Sequence, residues 1–155
     1  MKTKEKSITK ICSFYANKWH LTTMILPYIS KMIENGYEIE TLLGDGIKEN
    51  MEELIAKLNI NNETKEKILN IEWKSKDFID IEKININKTI ILVGGDIVKI
   101  RKMNKYIEEN VINDVSIINC YNVTQIEDNI VDILSTHDLI LNTSGNHKIN
   151  ECLHP

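Results

Sequence analysis

The sequence is short of the features that usually announce a chemistry. It has no glycine-rich loop ending in Gly-Lys-Ser or Gly-Lys-Thr and no Rossmann glycine pattern. The amides and lysine that cradle a polyphosphate are therefore missing, which argues against a nucleotide-hydrolysing enzyme. There is no basic surplus either. The formal net charge is -4, whereas a nucleic-acid binder needs a basic face. No apolar run approaches the ~20 residues of a membrane span, and the charged stretch 1–6 is not followed by the apolar segment of a signal peptide. The cytoplasm is the compartment these absences leave. Three cysteines, Cys12, Cys120 and Cys152, are too widely spaced for a disulfide framework and read as reduced thiols. No Ser/His/Asp grouping or carboxylate pair marks a catalytic centre. No linker, repeat or low-complexity stretch divides the 155 residues, so one domain over 1–155 is expected.

What is present is an alternation of apolar strands and amphipathic helices. Residues 8–15 read as a strand apolar on both faces, as a central parallel strand should be. Asn17 is placed to cap the next helix, whose inward positions run from Leu21 to Ile33 at three- and four-residue steps. Pro27 lies inside it and Gly36 stops it. Residues 37–43 predict a second strand, 47–58 a second helix and 67–73 a third strand. Residues 75–87, with Phe78 and Ile86, fit a short helix or an irregular crossover. A strand at 89–93 leads through Gly94-Gly95-Asp96 into a helix over 97–110, with Ile97, Ile100, Met103, Tyr106 and Ile107 inward. A strand at 115–121 precedes a helix over 123–136, with Ile126, Ile130, Ile133 and Leu134 inward, and 139–142 is the last strand. The pattern predicts an α/β domain, three layers deep, with a mainly parallel central sheet and helices on both faces.

In such sheets ligands bind beyond the carboxyl ends of the strands. Those ends carry Tyr15, Asn17, Trp73, Tyr121 and Asn122, with His20 on the first helix. These six are the candidate ligand-binding set, a mostly apolar pocket with a few polar handles. The turns Gly44-Asp45-Gly46 and Gly94-Gly95-Asp96 are more simply strand-to-helix turns. Cys12 and Cys120 each lie near the end of a strand. If the strands are neighbours, the thiols could meet, and with His20 or His137 they could form a thiol or metal site. A buried cysteine as a small hydrophobe is the simpler reading, and the local spacing is not that of a zinc site. His137 at a helix end is accounted for by capping.

The order of short motifs resembles the MEDS domain, a sensory domain of the methanogen/methylotroph DcmR type. The residues that carry the likeness are Lys10-Ile11-Cys12-Ser13-Phe14-Tyr15, Leu26-Pro27-Tyr28-Ile29, Asn35-Gly36, Ile118-Asn119-Cys120-Tyr121, the run from Asp132 to Leu141, and the tail from Asn150 to Pro155. Lys10 stands where that family has histidine and Asp138 where it has proline. The arginine- and tryptophan-rich middle is also missing. The resemblance implies a KaiC/RecA-like core without a working P-loop. It further implies a non-catalytic sensory role: a small organic ligand, and a regulatory partner such as a histidine kinase or transcription factor. No cofactor is assigned, and a homodimer is an open alternative. Two other classes stay in view. One is a protein-interaction module antagonising a kinase or sigma-type regulator. The other is a thiol or metal sensor built on Cys12 and Cys120.

Overall fold

The computed structural model describes residues 7–43, 46–73, 79–85, 88–126 and 128–149. In chain order its elements are β1 (Ile8–Tyr15), α1 (Lys18–Glu34), β2 (Glu38–Leu42), α2 (Ile47–Lys57), α3 (Asn62–Leu69), α4 (Ile81–Ile84), β3 (Thr89–Gly94), α5 (Ile97–Asn110), β4 (Val115–Asn122), a 3-10 turn (Val123–Gln125), α6 (Ile130–Ser135), β5 (Leu139–Asn142) and β6 (Gly145–Lys148). The six strands form one sheet in the order β2-β3-β4-β1-β5-β6. All pairings are parallel except the β5–β6 hairpin. One apolar cluster joins α1, α2 and α3 to one face through Ile11, Ile25, Met51, Ile68 and Leu92. A second joins α4, α5 and α6 to the other through Ile84, Ile91, Ile100, Ile117 and Ile133. This is the three-layer α/β architecture that the alternation predicts. No described helix is long and apolar enough to cross a membrane.

The central strands are covered on both sides, so they are apolar without alternation. Ile90, Ile91, Leu92 and Val93 of β3 are all fully buried, each contributing ~1.5–3 kcal/mol of transfer free energy as an upper estimate. Helix α1 starts on Asn17, whose Oδ1 accepts from the His20 backbone N–H at 2.8 Å. It runs through Pro27, which faces solvent. Its end is a Schellman turn: Gly36 N–H donates to the Ile33 carbonyl and Tyr37 N–H to the Met32 carbonyl, both at 3.0 Å. Gly36 has φ +91°, a conformation L side chains avoid. Gly94-Gly95-Asp96 is a strand-to-helix turn in which Asp96 Oδ1 caps Lys99 N–H at 2.8 Å.

Four sequence expectations need correction. Residues 67–73 are not a strand. Asn61 Oδ1 caps Thr64 N–H at 2.8 Å, which starts α3, and Thr64 and Ile68 turn inward; four-residue spacing there outweighs the apolar run that follows. The helix over 123–136 is broken. Asn122 Oδ1 accepts from Thr124 N–H at 3.0 Å, a local turn that competes with helix, and only 130–135 are α-helical, with Ile130 exposed. Tyr106 also points outward, and Asn104 takes the inward place on α5. Finally, Asn142 and Gly145 pair across a tight turn, adding the edge strand β6. Gly44, Asp45, Phe78, Ile86 and the tail from Asn150 to Pro155, including Cys152, lie outside the described residues.

Substituting Gly36 isolates one backbone term, because a Cβ there would meet nothing within 4 Å. Gly36→Ala is expected to lower unfolding free energy by ~1–2 kcal/mol, and Gly36→Asn by less. Urea titration of the three proteins checks this, and equal midpoints would exclude the left-handed cap as a stabilising element.

Candidate functional site

The structure separates the six residues expected to share a pocket. β1 and β4 pair in register from Ile8↔Val115 to Tyr15↔Asn122. Tyr15 therefore faces the α1 side with Cys120, and Tyr121 faces the α5 side with Phe14 and Cys12. The Phe14 and Tyr121 rings stack with centroids 5.9 Å apart. Asn17 and His20 are occupied by capping: besides the Asn17 bond, Ala16 N–H donates to His20 Nδ1 at 3.0 Å, a close relative of a capping box. Only Ala16 and Asn17 separate β1 from α1, too short a connection for a long P-loop. Asn122 is held by Thr124. Trp73 follows α3 rather than a strand. It is 4% exposed, with its indole N–H bonded to the Ile68 carbonyl at 3.0 Å, and is a core residue.

The register also parts the two thiols. Cys12 belongs to the core cluster under α5 and Cys120 to the one under α1. They do not form one site, and no cluster of three or more metal-ligating side chains occurs among the described residues. Burial pushes the Cys120 thiol up to about 12, which keeps it protonated and unreactive near neutral pH.

What the fold does bring together is a polar floor beneath a cleft of about 190 Å³ between α5 and α6. Asn119, in the middle of β4, is 1% exposed, and Asn104 of α5 is 6% exposed. Their amides bond reciprocally, Asn104 Nδ2 to Asn119 Oδ1 at 2.7 Å and Asn119 Nδ2 to Asn104 Oδ1 at 2.9 Å. The second N–H of Asn104 donates to the Ile100 carbonyl at 2.7 Å. The second N–H of Asn119 meets His137 Nε2 at 3.0 Å, and His137 Nδ1 lies 2.6 Å from the Ile133 carbonyl. Tyr121 lines the same cleft, 5% exposed, its ring edge-on to His137.

These bonds have a direction. A carbonyl only accepts, so Ile100 fixes which end of the Asn104 amide is nitrogen, and Asn104 then fixes Asn119. Asn119 presents N–H to His137, which requires a lone pair on Nε2 and places the ring proton on Nδ1, aimed at the Ile133 carbonyl. The chain runs between helical carbonyls of α5 and α6 and has no place for another proton. Burial accordingly lowers the His137 pKa, and Lys10 adds to the shift. The Ile133 carbonyl and Asp138 oppose it. At the mouth Lys10 Nζ pairs with Glu108 Oε1 at 2.5 Å. Asp138 Oδ2 accepts from Lys10 N–H at 2.9 Å, and Asp138 N–H returns a bond to the Lys10 carbonyl at 2.8 Å. Lys10 and Asp138 therefore hold each other.

The sequence does carry a signal for this floor. Asn104 falls four residues after Ile100 and three before Ile107, on the buried stripe, and Asn119 interrupts an apolar strand. A polar side chain at a core position needs a partner, but nothing local says which. A larger hollow of about 510 Å³ lies along the outer edge of β2. There the buried Glu40 is paired with Lys83 at 2.6 Å. Ser144 Oγ lies 2.8 Å from His147 Nε2. Its proton goes to Asn142 Oδ1 at 2.7 Å, so the contact is a turn rather than an activated nucleophile. Comparison with known proteins finds no matching family model, curated protein or solved structure.

The proton-free Nε2 makes stability pH-dependent in a defined direction. Because the folded pKa is lowered, the unfolded chain binds the proton more readily. Stability contributed by neutral His137 is complete above the ordinary value of 6.5 and falls as pH drops below it. Urea unfolding at pH 7.5 and 5.5 should show a larger loss for wild type than for His137→Gln. Equal losses would detach the imidazole from the network.

Proposed function

We propose that this chain is a non-catalytic, MEDS-like sensory domain that binds a small organic molecule in the α5–α6 cleft and passes occupancy to a regulatory partner. The observation that carries this reading is the buried Asn104–Asn119–His137 chain forming the floor of a cleft. Apolar walls with a few fixed polar groups are the usual make-up of a ligand site. A fully bonded floor and a His137 ring with both nitrogens engaged suit recognition better than proton transfer. The order of motifs from Lys10 to Leu141 supports the sensory assignment, and a three-layer α/β core is what that likeness implies. A ligand wedged between α5 and α6 would alter their spacing, which gives the signal a physical form.

The output surface in this reading is the exposed apolar skin of the same helices. Val98 on α5 is 73% exposed and Val131 on α6 is 75% exposed, with Ile130 beside it. Exposed apolar side chains of this kind also favour the second reading, a protein-interaction module that docks a regulator without any ligand.

A thermal-shift screen of small metabolites tests the first reading. A ligand at a hundredfold excess over its Kd should stabilise the chain by ~2.7 kcal/mol. Thr136→Trp, which places a large ring at the cleft mouth, should abolish the gain, whereas Tyr15→Ala on the opposite face should keep it. Stabilisation that survives Thr136→Trp would move the site elsewhere.

A further inference from the structure

We propose that the α5–α6 cleft selects a short-chain carboxylate, its oxygens received by the Tyr121 hydroxyl and the Arg101 guanidinium. This rests on the cleft being the ligand site and adds the chemical class. The argument is a count of donors and acceptors on the floor. Both N–H groups of Asn104 and both of Asn119 are committed, as is the Nδ1 proton of His137. The Tyr121 hydroxyl differs. Its one acceptor within reach among the described residues is His137 Nε2, at 3.5 Å. That is beyond the ~2.5–3.0 Å of a good hydroxyl hydrogen bond, and an imidazole nitrogen has a single lone pair, already filled by Asn119 at 3.0 Å. The Tyr121 hydroxyl thus faces the cleft with one long contact, to a nitrogen that Asn119 already occupies.

A cation stands in the same cleft. Burial pushes the Tyr121 pKa up and keeps its hydroxyl a proton donor, with the Arg101 guanidinium, which also lines the cleft, acting in the opposite sense. Among the charged lining residues Lys10 is neutralised by Glu108 and Lys105 lies 4.0 Å from Glu109 on its own helix, which leaves the Arg101 guanidinium on α5 and the Asp132 carboxylate on α6. The remaining walls, Ile97, Ile100 and Ile133, are aliphatic. A volume of about 190 Å³ equals that of roughly six water molecules at ~30 Å³ each, which limits the ligand to a small one. A carboxylate with a short branched aliphatic body fits all of these. An ammonium would meet two donors and leave the hydroxyl proton unpaired.

The test uses the whole chain at neutral pH, labelled in its isoleucine methyl groups, titrated with isobutyrate, isobutyramide and isobutylamine, which share a branched skeleton. Isobutyrate should shift the methyls of Ile97, Ile100 and Ile133 saturably, and isobutylamine should not. Tyr121→Phe removes only the hydroxyl and leaves His137 bonded to Asn119, so the floor stays intact. It and Arg101→Met should each weaken isobutyrate by about tenfold or more. Amide or amine binding at these methyls as tightly as isobutyrate would overturn the carboxylate assignment while leaving the cleft a ligand site. So would isobutyrate binding unchanged in Tyr121→Phe. If the methyls respond to none of the three probes, the cleft itself fails as the ligand site.

Discussion

The parallel ladder between β1 and β4 is the constraint on which the rest of this molecule depends. Eight consecutive residues of each strand are paired, and both strands are covered by helices on both faces. Side chains along a strand alternate between faces, so a single register settles every pairing at once. It sends Tyr15 and Cys120 beneath α1. It sends Cys12, Phe14 and Tyr121 beneath α5. A thiol pair or a shared aromatic pocket would need the opposite parity.

The same ladder creates the chemical problem that the α5–α6 side solves. It buries an amide, Asn119, in the middle of the most enclosed region of the sheet. Such a group is costly without hydrogen bonds. Asn104 and His137 supply them, and each is in turn anchored on a helical carbonyl, Ile100 or Ile133. One strand is thereby tied to two helices by a chain of fixed polarity. That chain is sensitive to protonation because its imidazole must accept.

Much of the fold was legible beforehand because its determinants are local. Ile8–Tyr15, the capped helix that follows, the β3 strand and its Gly94-Gly95-Asp96 turn all follow from apolar runs, caps and glycine. Elsewhere two local signals compete. At Asn61 a cap won over the apolar run after it, and at Asn122 a side-chain turn won over helix continuation. Asn17, His20 and Asn122 looked available for a ligand because their capping bonds draw on backbone N–H groups, which a sequence does not display. Trp73 follows helix α3 and not a strand, which the apolar run 67–73 does not reveal.

By itself, then, the sequence determined an α/β domain with a mainly parallel sheet, since periodicity and caps act over a few residues. Only the tertiary structure decided which side chains meet. A strand buried on both faces is apolar at every position and carries no alternation to mark its sides. Asn104, Asn119 and His137 are 15 and 18 residues apart in steps along the chain, and strand order and register alone bring them to one floor.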